Sequence, residues 1–169
     1  LAKERDYYGF LAADKMNKPY SMNHYPVTDD IEEFKRISSL PAMKRAYEFY
    51  QLGMNTNARR EWHHALNKMT TYQMQMAAAL AVKWGWHNRA IITMSRAKAL
   101  DNLVLRFPIL FEDLLTKYAK KNNIDRSWVF GLVRAESAFI EDISSPVGAL
   151  GLMQVMPRTG RSVAKKIGI

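Results

Sequence analysis

The amino-acid sequence predicts an all-α protein in two parts, with the boundary near residue 108. Proline is absent between Pro41 and Pro108, and this stretch is rich in alanine, leucine, methionine, arginine and lysine, which favour helices. A second run of apolar residues with helical spacing begins after Pro108. The alternation of apolar and polar residues that marks a half-buried strand stands out nowhere in the sequence.

The N-terminal forty residues predict two helices and a loop. One helix is expected within 1–20, around an aromatic and apolar cluster at 7–11, and another over 29–38. The segment between Pro19 and Pro26 is expected to form a loop, because proline interrupts the hydrogen bonding of a helix interior.

A short internal repeat indicates how the following helices are arranged. Alanine and glycine recur in the same order 32 positions apart, as Ala46, Gly53, Ala58 and Ala65 and then as Ala78, Gly85, Ala90 and Ala97. Small residues let facing helices approach closely, and a glycine between two helices supplies a turn. The pattern predicts stacked helix–turn–helix units, and its period is close to the roughly 34 residues of tetratricopeptide repeats.

The second part begins with an amphipathic helix after Pro108. Its apolar residues follow helical spacing and are Phe111, Leu114, Leu115, Tyr118 and Ala119. Acidic residues stand in its first turn and lysines in its last turn, which complements the helix dipole. This helix is expected to end at Asn122, and the next one to run from a cap at Ser127 to about Phe139. The segment 141–151 is expected to be a loop.

Glu136 shares one face of the predicted helix 127–139 with Val129, Leu132 and Val133, which precede it at helical spacing. We therefore expect Glu136 to face the interior of the domain. Burial disfavours the charged form of a carboxylate and prepares it to act as a general acid near neutral pH. The alternative at this point is a structural glutamate that pairs with an arginine or turns outward at the rim of the core.

The loop after this helix has the composition of a ligand-binding segment. It runs from Ser145 to Pro157 and contains two glycines, several small residues and the isolated Gln154. Glycine lets a backbone approach a ligand closely, and the glutamine amide offers both donors and an acceptor to a polar group such as an acetamido sugar. The alternative is an ordinary loop that enters a methionine-rich helix.

These residues together resemble the signature of the soluble lytic murein transglycosylases. The match consists of Glu136-Ser137-Ala138-Phe139, then Ser145, Gly148-Ala149 and the run from Gly151 to Pro157. It extends over the preceding helices, including Leu103 to Pro108. The resemblance implies an α-superhelix of stacked helix pairs over 1–108, followed over 109–169 by the first part of a lysozyme-like α domain of the goose type.

The resemblance also implies an activity. The family cleaves the MurNAc–GlcNAc β-1,4 bond of peptidoglycan without water and leaves a 1,6-anhydro-MurNAc end. Glu136 matches the single catalytic residue, which protonates the glycosidic oxygen and then accepts the proton of the C6 hydroxyl group. Ser145 matches a serine beside that carboxylate and the acetamido group of the substrate. The residues that match the substrate-binding loop and its subsites are Gly151, Leu152, Met153, Gln154 and Met156.

The nearest acidic residues, Glu141 and Asp142, are interpreted as solvated loop charges rather than as a second catalytic carboxylate. No cofactor and no metal ion are expected: cysteine is absent, and the neighbouring His63 and His64 point about 100° apart on a helix. The four tryptophans are interpreted as core residues rather than sugar platforms.

The net charge of +9 favours an anionic partner. The positive charge is spread along the chain without a nucleic-acid-binding motif, so nucleic acid is not expected, whereas the carboxylates of peptidoglycan fit a basic surface. The resemblance therefore implies glycan strands as the partner and the periplasm or cell envelope of a bacterium as the location, with peripheral association with the envelope left open.

The resemblance has departures and one alternative. Ile140-Glu141 replaces the frequent Asn-Pro of the family, and Gly160 replaces an alanine. The family's catalytic domain continues through a Tyr-Asn-Ala-Gly segment that does not occur here, so we expect a fragment with little or no lytic activity of its own. The alternative function is a catalytically silent helical-repeat interaction module, which explains 41–107 but leaves Glu136 and the glycine-rich loop unexplained.

Overall fold

The computed structural model describes residues 1–27 and 30–169, and this part of the chain forms ten α-helices. They are α1 (Tyr7–Lys15), α2 (Ile31–Ser39), α3 (Pro41–Gln51), α4 (Asn55–Leu66), α5 (Thr71–Lys83), α6 (His87–Arg96), α7 (Leu103–Arg106), α8 (Glu112–Lys121), α9 (Arg126–Ser137) and α10 (Pro157–Ile167). The described residues contain no β-strand and two isolated β-bridges, so the all-α prediction is confirmed. The predicted helix 29–38 corresponds to α2, and its first predicted residue, Asp29, lies outside the described residues.

The repeat in the sequence corresponds to two helix–turn–helix units. The first consists of α3 and α4 and turns at Gly53, and the second consists of α5 and α6 and turns at Gly85. Both glycines have positive φ, 70° and 75°, a conformation that other residues rarely adopt. The alanines that recur between the units are buried, apart from the half-buried Ala65, whereas the two turn glycines are exposed.

Trp62 lies at the centre of the core that these helices share. Its side chain is fully buried, and its Nε1 donates a hydrogen bond of 3.0 Å to Oγ1 of Thr93 on α6. The rings of Trp84 and Trp86 contact it edge-on, with centroids 5.6 Å and 5.5 Å away. These three tryptophans are core residues as predicted, whereas Trp128 on α9 is 77% exposed and contradicts that prediction.

The second part of the chain packs around a smaller apolar cluster. Its buried members are Ile91, Leu115, Phe130, Val133 and Phe139. Ile91 belongs to α6, so the superhelix supplies one side of this cluster. The predicted apolar face of α8 is only partly buried: Leu115 and Ala119 are buried, whereas Leu114 and Tyr118 are exposed.

The start of α9 differs from the prediction. Asp125, not Ser127, is the capping residue, and its carboxylate accepts a hydrogen bond of 2.7 Å from the backbone N–H of Ser127. Asp125 has the extended backbone conformation that capping requires, whereas Ser127 lies within the first turn, where its own N–H is one of the groups that need a partner. Among the described residues, no helix combines the length and the hydrophobicity needed to cross a membrane.

Candidate active site

Glu136 lies in the last turn of α9, and its side chain is exposed. This contradicts the expectation that it faces the interior. The buried residues of α9 are Phe130, Val133 and Ser137, a stripe about a quarter turn around the helix from the stripe that contains Glu136. The physical reason is that the large ring of Phe130 buries more apolar surface than Leu132, which stays exposed. The carboxylate of Glu136 forms no hydrogen bond or ion pair with any residue that the structure describes.

The chain turns sharply just after Glu136. Ala138 and Phe139 both have positive φ, 49° and 64°, which is unfavourable for residues with a Cβ atom. The hydroxyl group of Ser137 holds this turn, since it donates to the carbonyl oxygen of Val133 and accepts from the backbone N–H of Phe139. Burial of the Phe139 ring beside Phe111 and Phe130 offsets the strain. The turn that follows Glu136 is therefore well defined.

Ser145 organises the first turn of the loop that follows. Its backbone N–H donates to the carbonyl oxygen of Ala149, its own carbonyl oxygen accepts from Gly148, and its Oγ accepts from the N–H of Ala149, each at 2.9 Å. Because Oγ is an acceptor in this bond, its proton is available to a ligand. Gly148 has φ of 87°, so the turn requires a glycine there.

A second turn follows immediately and contains Gly151 and Gln154. The backbone N–H of Gly151 donates to the carbonyl oxygen of Ile143 at 2.9 Å, and its φ is 70°. The side-chain amide nitrogen of Gln154 donates to the carbonyl oxygens of Ile143 and Gly151, at 3.3 Å and 3.0 Å. The amide nitrogen of Gln154 thus stabilises the loop, and the amide oxygen Oε1 of the same side chain remains available to a ligand.

The other predicted substrate-binding residues differ in exposure. Leu152 is half-buried against the apolar cluster that contains Phe139, and this contact joins the loop to the end of α9. Met153 and Met156 are exposed, and Met156 is the residue before α10. The structure therefore places Ser145, Gly151 and Gln154 in one hydrogen-bonded loop, with the methionine side chains at its surface.

A cavity of about 410 Å³ separates this loop from the superhelix. Its lining includes Asp142 and Ser144 from the loop and Arg59 and Arg89 from α4 and α6. Glu141 and Asp142 are exposed, in agreement with their interpretation as solvated loop charges.

Arg89 is the unusual member of this cavity, because it is a cation that is only 5% exposed. Its Nε is buried without a hydrogen-bond partner among the described residues, and no described carboxylate forms an ion pair with it. Burial, together with the nearby charge of Arg59, lowers the pKa of Arg89 to about 10. The cavity therefore offers an unpaired positive charge to a ligand.

Comparison with known proteins identifies the family to which this chain belongs. The family model described as the soluble lytic murein transglycosylase L domain matches residues 36–103, and the transglycosylase SLT domain matches residues 113–169. The chain belongs to the soluble lytic murein transglycosylase family. Soluble lytic murein transglycosylases of Salmonella typhimurium and Escherichia coli K12 are 28% and 27% identical to it over all 169 residues. The chain spans 26% of the length of each of these relatives.

Solved structures of transglycosylases share this fold. The X-ray structure of an inactive Glu-to-Gln mutant of the lytic transglycosylase Slt from Pseudomonas aeruginosa has a TM-score of 0.94 and 40% identity, over 100% of this chain and 28% of that one. The 70-kDa soluble lytic transglycosylase of Escherichia coli has a TM-score of 0.87 and 27% identity, over 98% of this chain and 26% of that one. These matches confirm the α-superhelix followed by part of a lysozyme-like domain.

Two arginines were not predicted to be buried from the sequence. Arg89 is buried beside the ring of Trp86, and Arg134 is half-buried against the ring of Phe107 and the carbonyl oxygen of Arg106; neither forms an ion pair with a described carboxylate. The available signal was the apolar neighbourhood of each arginine in the sequence, Ala90-Ile91 beside the first and Val133 beside the second. Within the described part of the chain, no group of three or more His, Asp or Glu side chains has the arrangement of a metal site.

Proposed function

We propose that the protein is a lytic transglycosylase that cleaves the MurNAc–GlcNAc β-1,4 bond of peptidoglycan and leaves a 1,6-anhydro-MurNAc end. The observation that carries this proposal is the position of Glu136. Its carboxylate has no partner among the described residues, and it stands at the end of a helix whose other side is anchored in a core. A general acid or base must lie within hydrogen-bond reach of its ligand, and a carboxylate in this position is open to such a contact.

In the proposed reaction Glu136 acts twice. As an acid it gives its proton to the glycosidic oxygen while the bond between C1 of MurNAc and that oxygen breaks. The acetamido group of the substrate stabilises the positive charge at C1. As a base, Glu136 then accepts the proton of the C6 hydroxyl group, whose oxygen forms the new bond to C1. The proton that Glu136 donates to the leaving sugar is replaced by the proton that it accepts from the C6 hydroxyl group, and no water molecule is consumed.

The loop 145–157 is proposed to hold the sugar in place. The free hydroxyl proton of Ser145 and the Oε1 of Gln154 are suited to the acetamido group and hydroxyl groups of a sugar. Gly151 and Leu152 form the floor of this site, and the exposed side chains of Met153 and Met156 provide apolar contacts to sugar rings. Two turns closed by backbone hydrogen bonds support this role, because a preformed loop loses little entropy on binding.

The superhelix is proposed to contribute binding rather than chemistry. Residues 1–108 form the linker domain, and residues 109–169 form the N-terminal part of the catalytic domain. The unpaired charges of Arg59 and Arg89 in the cavity favour the carboxylates of peptidoglycan as ligands. The location of this substrate implies the periplasm of a bacterium, with peripheral contact to the cell envelope.

The test is Glu136→Gln in the full-length protein, with Glu141→Gln as the matched control. Loss of turbidity of purified sacculi measures turnover, and a sedimentation assay measures binding. Glu136→Gln is expected to slow turnover by at least about 10²- to 10⁴-fold and to leave binding unchanged, because removal of a general acid affects the transition state. Glu141→Gln is expected to behave as the unmodified protein, because this side chain is exposed on the loop.

Product analysis separates this proposal from its rivals. Released muropeptides are expected to resist reduction by borohydride and to have the mass of anhydro forms. Reducible MurNAc ends would show a hydrolase instead. Binding to sacculi without any turnover by the full-length protein would favour the catalytically silent interaction module.

A further inference from the structure

Arg134 lies two residues before Glu136 on α9, on the other side of the helix. Two residues correspond to about 200° around a helix axis, so the arginine points toward the superhelix while Glu136 points toward solvent. The Nε of Arg134 donates a hydrogen bond to the carbonyl oxygen of Arg106, the last residue of α7. Its guanidinium group lies over the ring of Phe107, 4.3 Å from the centroid.

Arg134 contacts no acidic side chain of the described residues. Burial, and secondarily the charge of Arg106, lowers its pKa. An arginine that serves only charge balance would be paired with a carboxylate, whereas this one is held by a carbonyl group and an aromatic ring of the connecting segment. Both contacts are directional, because the guanidinium group is planar and its N–H groups point in fixed directions.

The segment that receives Arg134 is itself fixed by arginines. The guanidinium group of Arg106 lies 5.0 Å from the centroid of Phe107 and donates to the carbonyl oxygen of Leu100. That same carbonyl oxygen accepts from Arg5, which also pairs with Asp101 at 2.8 Å. A continuous series of arginine-to-carbonyl hydrogen bonds thus connects the N-terminal region, the segment 100–107 and the helix that carries Glu136.

A second contact between α9 and the superhelix is apolar. Phe130 and Val133 share a cluster with Ile91 of α6. Apolar packing is not directional, so it tolerates a small rotation of α9 about its axis. A glutamate carboxylate lies about 5–6 Å from the helix axis, so a rotation of about 10° displaces it by about 1 Å. A displacement of this size costs catalysts about 10²-fold in rate.

We propose that Arg134 is a positioning residue for Glu136: it fixes the rotation of α9 against Phe107 and the carbonyl oxygen of Arg106, and so orients the carboxylate toward the glycosidic oxygen. This inference rests on the proposed function. It assigns to the arginine no contact with the substrate.

The test compares Arg134→Met with Arg126→Met in the full-length protein. Arg126 is a matched control, because it lies on the same helix and its ion pair with Glu112 connects α9 only to α8. Arg134→Met is expected to lower kcat by about 10- to 100-fold with KM within about threefold of the original value. Arg126→Met is expected to change neither constant by more than about twofold.

Two further measurements distinguish positioning from a general structural role. Arg134→Lys is expected to recover part of the lost kcat, because lysine keeps the charge over Phe107 but not the planar geometry. Combining Arg134→Met with Phe107→Leu is expected to lower kcat no further than the more severe single change, because each substitution removes the same contact between the guanidinium group and the ring. In protein that also carries Glu136→Gln, Arg134→Met is expected to leave sacculus binding unchanged.

The outcomes that overturn the inference are distinct from those that overturn the proposed function. Full activity of Glu136→Gln removes the basis of both. Loss of activity in Glu136→Gln together with a normal kcat in Arg134→Met overturns the role of Arg134 alone. Equal losses of kcat in Arg134→Met and Arg126→Met, or loss of sacculus binding in the former, show a structural role and also overturn it.

Discussion

Replacement of Arg89 by methionine is expected to stabilise the protein. The side chain is buried, its Nε has no hydrogen-bond partner among the described residues, and burial lowers the pKa of the guanidinium group to about 10. Each pKa unit corresponds to about 1.4 kcal/mol, so the charged form destabilises the fold by on the order of 3 kcal/mol. Methionine has a similar length and no charge, so it fills the space without the cost of desolvation.

A part of this gain is lost because the guanidinium group also makes a favourable contact. Its Cζ lies 5.1 Å from the centroid of the Trp86 ring, and a cation–π contact of this kind contributes about 1 kcal/mol. The net expectation is about 2 kcal/mol of added stability. For a chain of this size, that corresponds to a rise in Tm of about 4–8 °C.

The assay is thermal unfolding of the 169-residue chain at pH 7 and pH 9, with Arg60→Met as the control. The pKa of Arg89 is lower in the folded state, so the penalty is fully present below the folded-state pKa of about 10 and decreases as the pH rises above it. The gain should therefore be equal at pH 7 and pH 9. Arg60 is exposed on the same helix as Arg59, and its replacement should change stability by less than about 0.5 kcal/mol. A decrease in Tm for Arg89→Met would refute the reasoning.

Two further substitutions test the supports of the candidate site. Asp125→Ala removes the cap of α9 and is expected to cost about 1 kcal/mol in urea denaturation, with Asp113→Ala in the first turn of α8 as a milder comparison. Gly151→Ala introduces a Cβ atom at φ of 70° and is expected to cost about 1–2 kcal/mol, although the nearest atom, the carbonyl oxygen of Glu141, is an unstrained 3.5 Å away. If Gly151→Ala proved as stable as the unmodified chain, strain at this turn would be excluded.

The helical units and the sequence of elements could be predicted because their causes are local. The spacing of Gly53 and Gly85 predicts the two turns, since glycine adopts positive φ more readily than other residues. Loop composition likewise predicts the segment that contains Ser145 and Gln154. The assignment of catalytic and binding roles to these residues stays a prediction.

The orientation of α9 could not be predicted from spacing. The helix carries two overlapping apolar stripes that share Val133, one leading to Glu136 and the other from Phe130 to Ser137. Which stripe is buried depends on Ile91 and Leu115, which lie on other helices. The burial of Arg89 and the backbone contact of Arg134 could not be predicted for a similar reason. A bond to a carbonyl group needs no acidic partner, so no pattern of charges in the sequence indicates it.

The contribution of Ile91 to the second apolar cluster has a consequence for the order of events during synthesis. A chain grows from its N-terminus, and helix pairs with local contacts form early. The pair α5 and α6 precedes α8 and α9 in the chain and therefore leaves the ribosome first. Ile91 of α6 then offers an apolar surface against which Leu115 and Phe130 can pack. We therefore expect the superhelix to act as a template on which the segment that carries Glu136 acquires its shape.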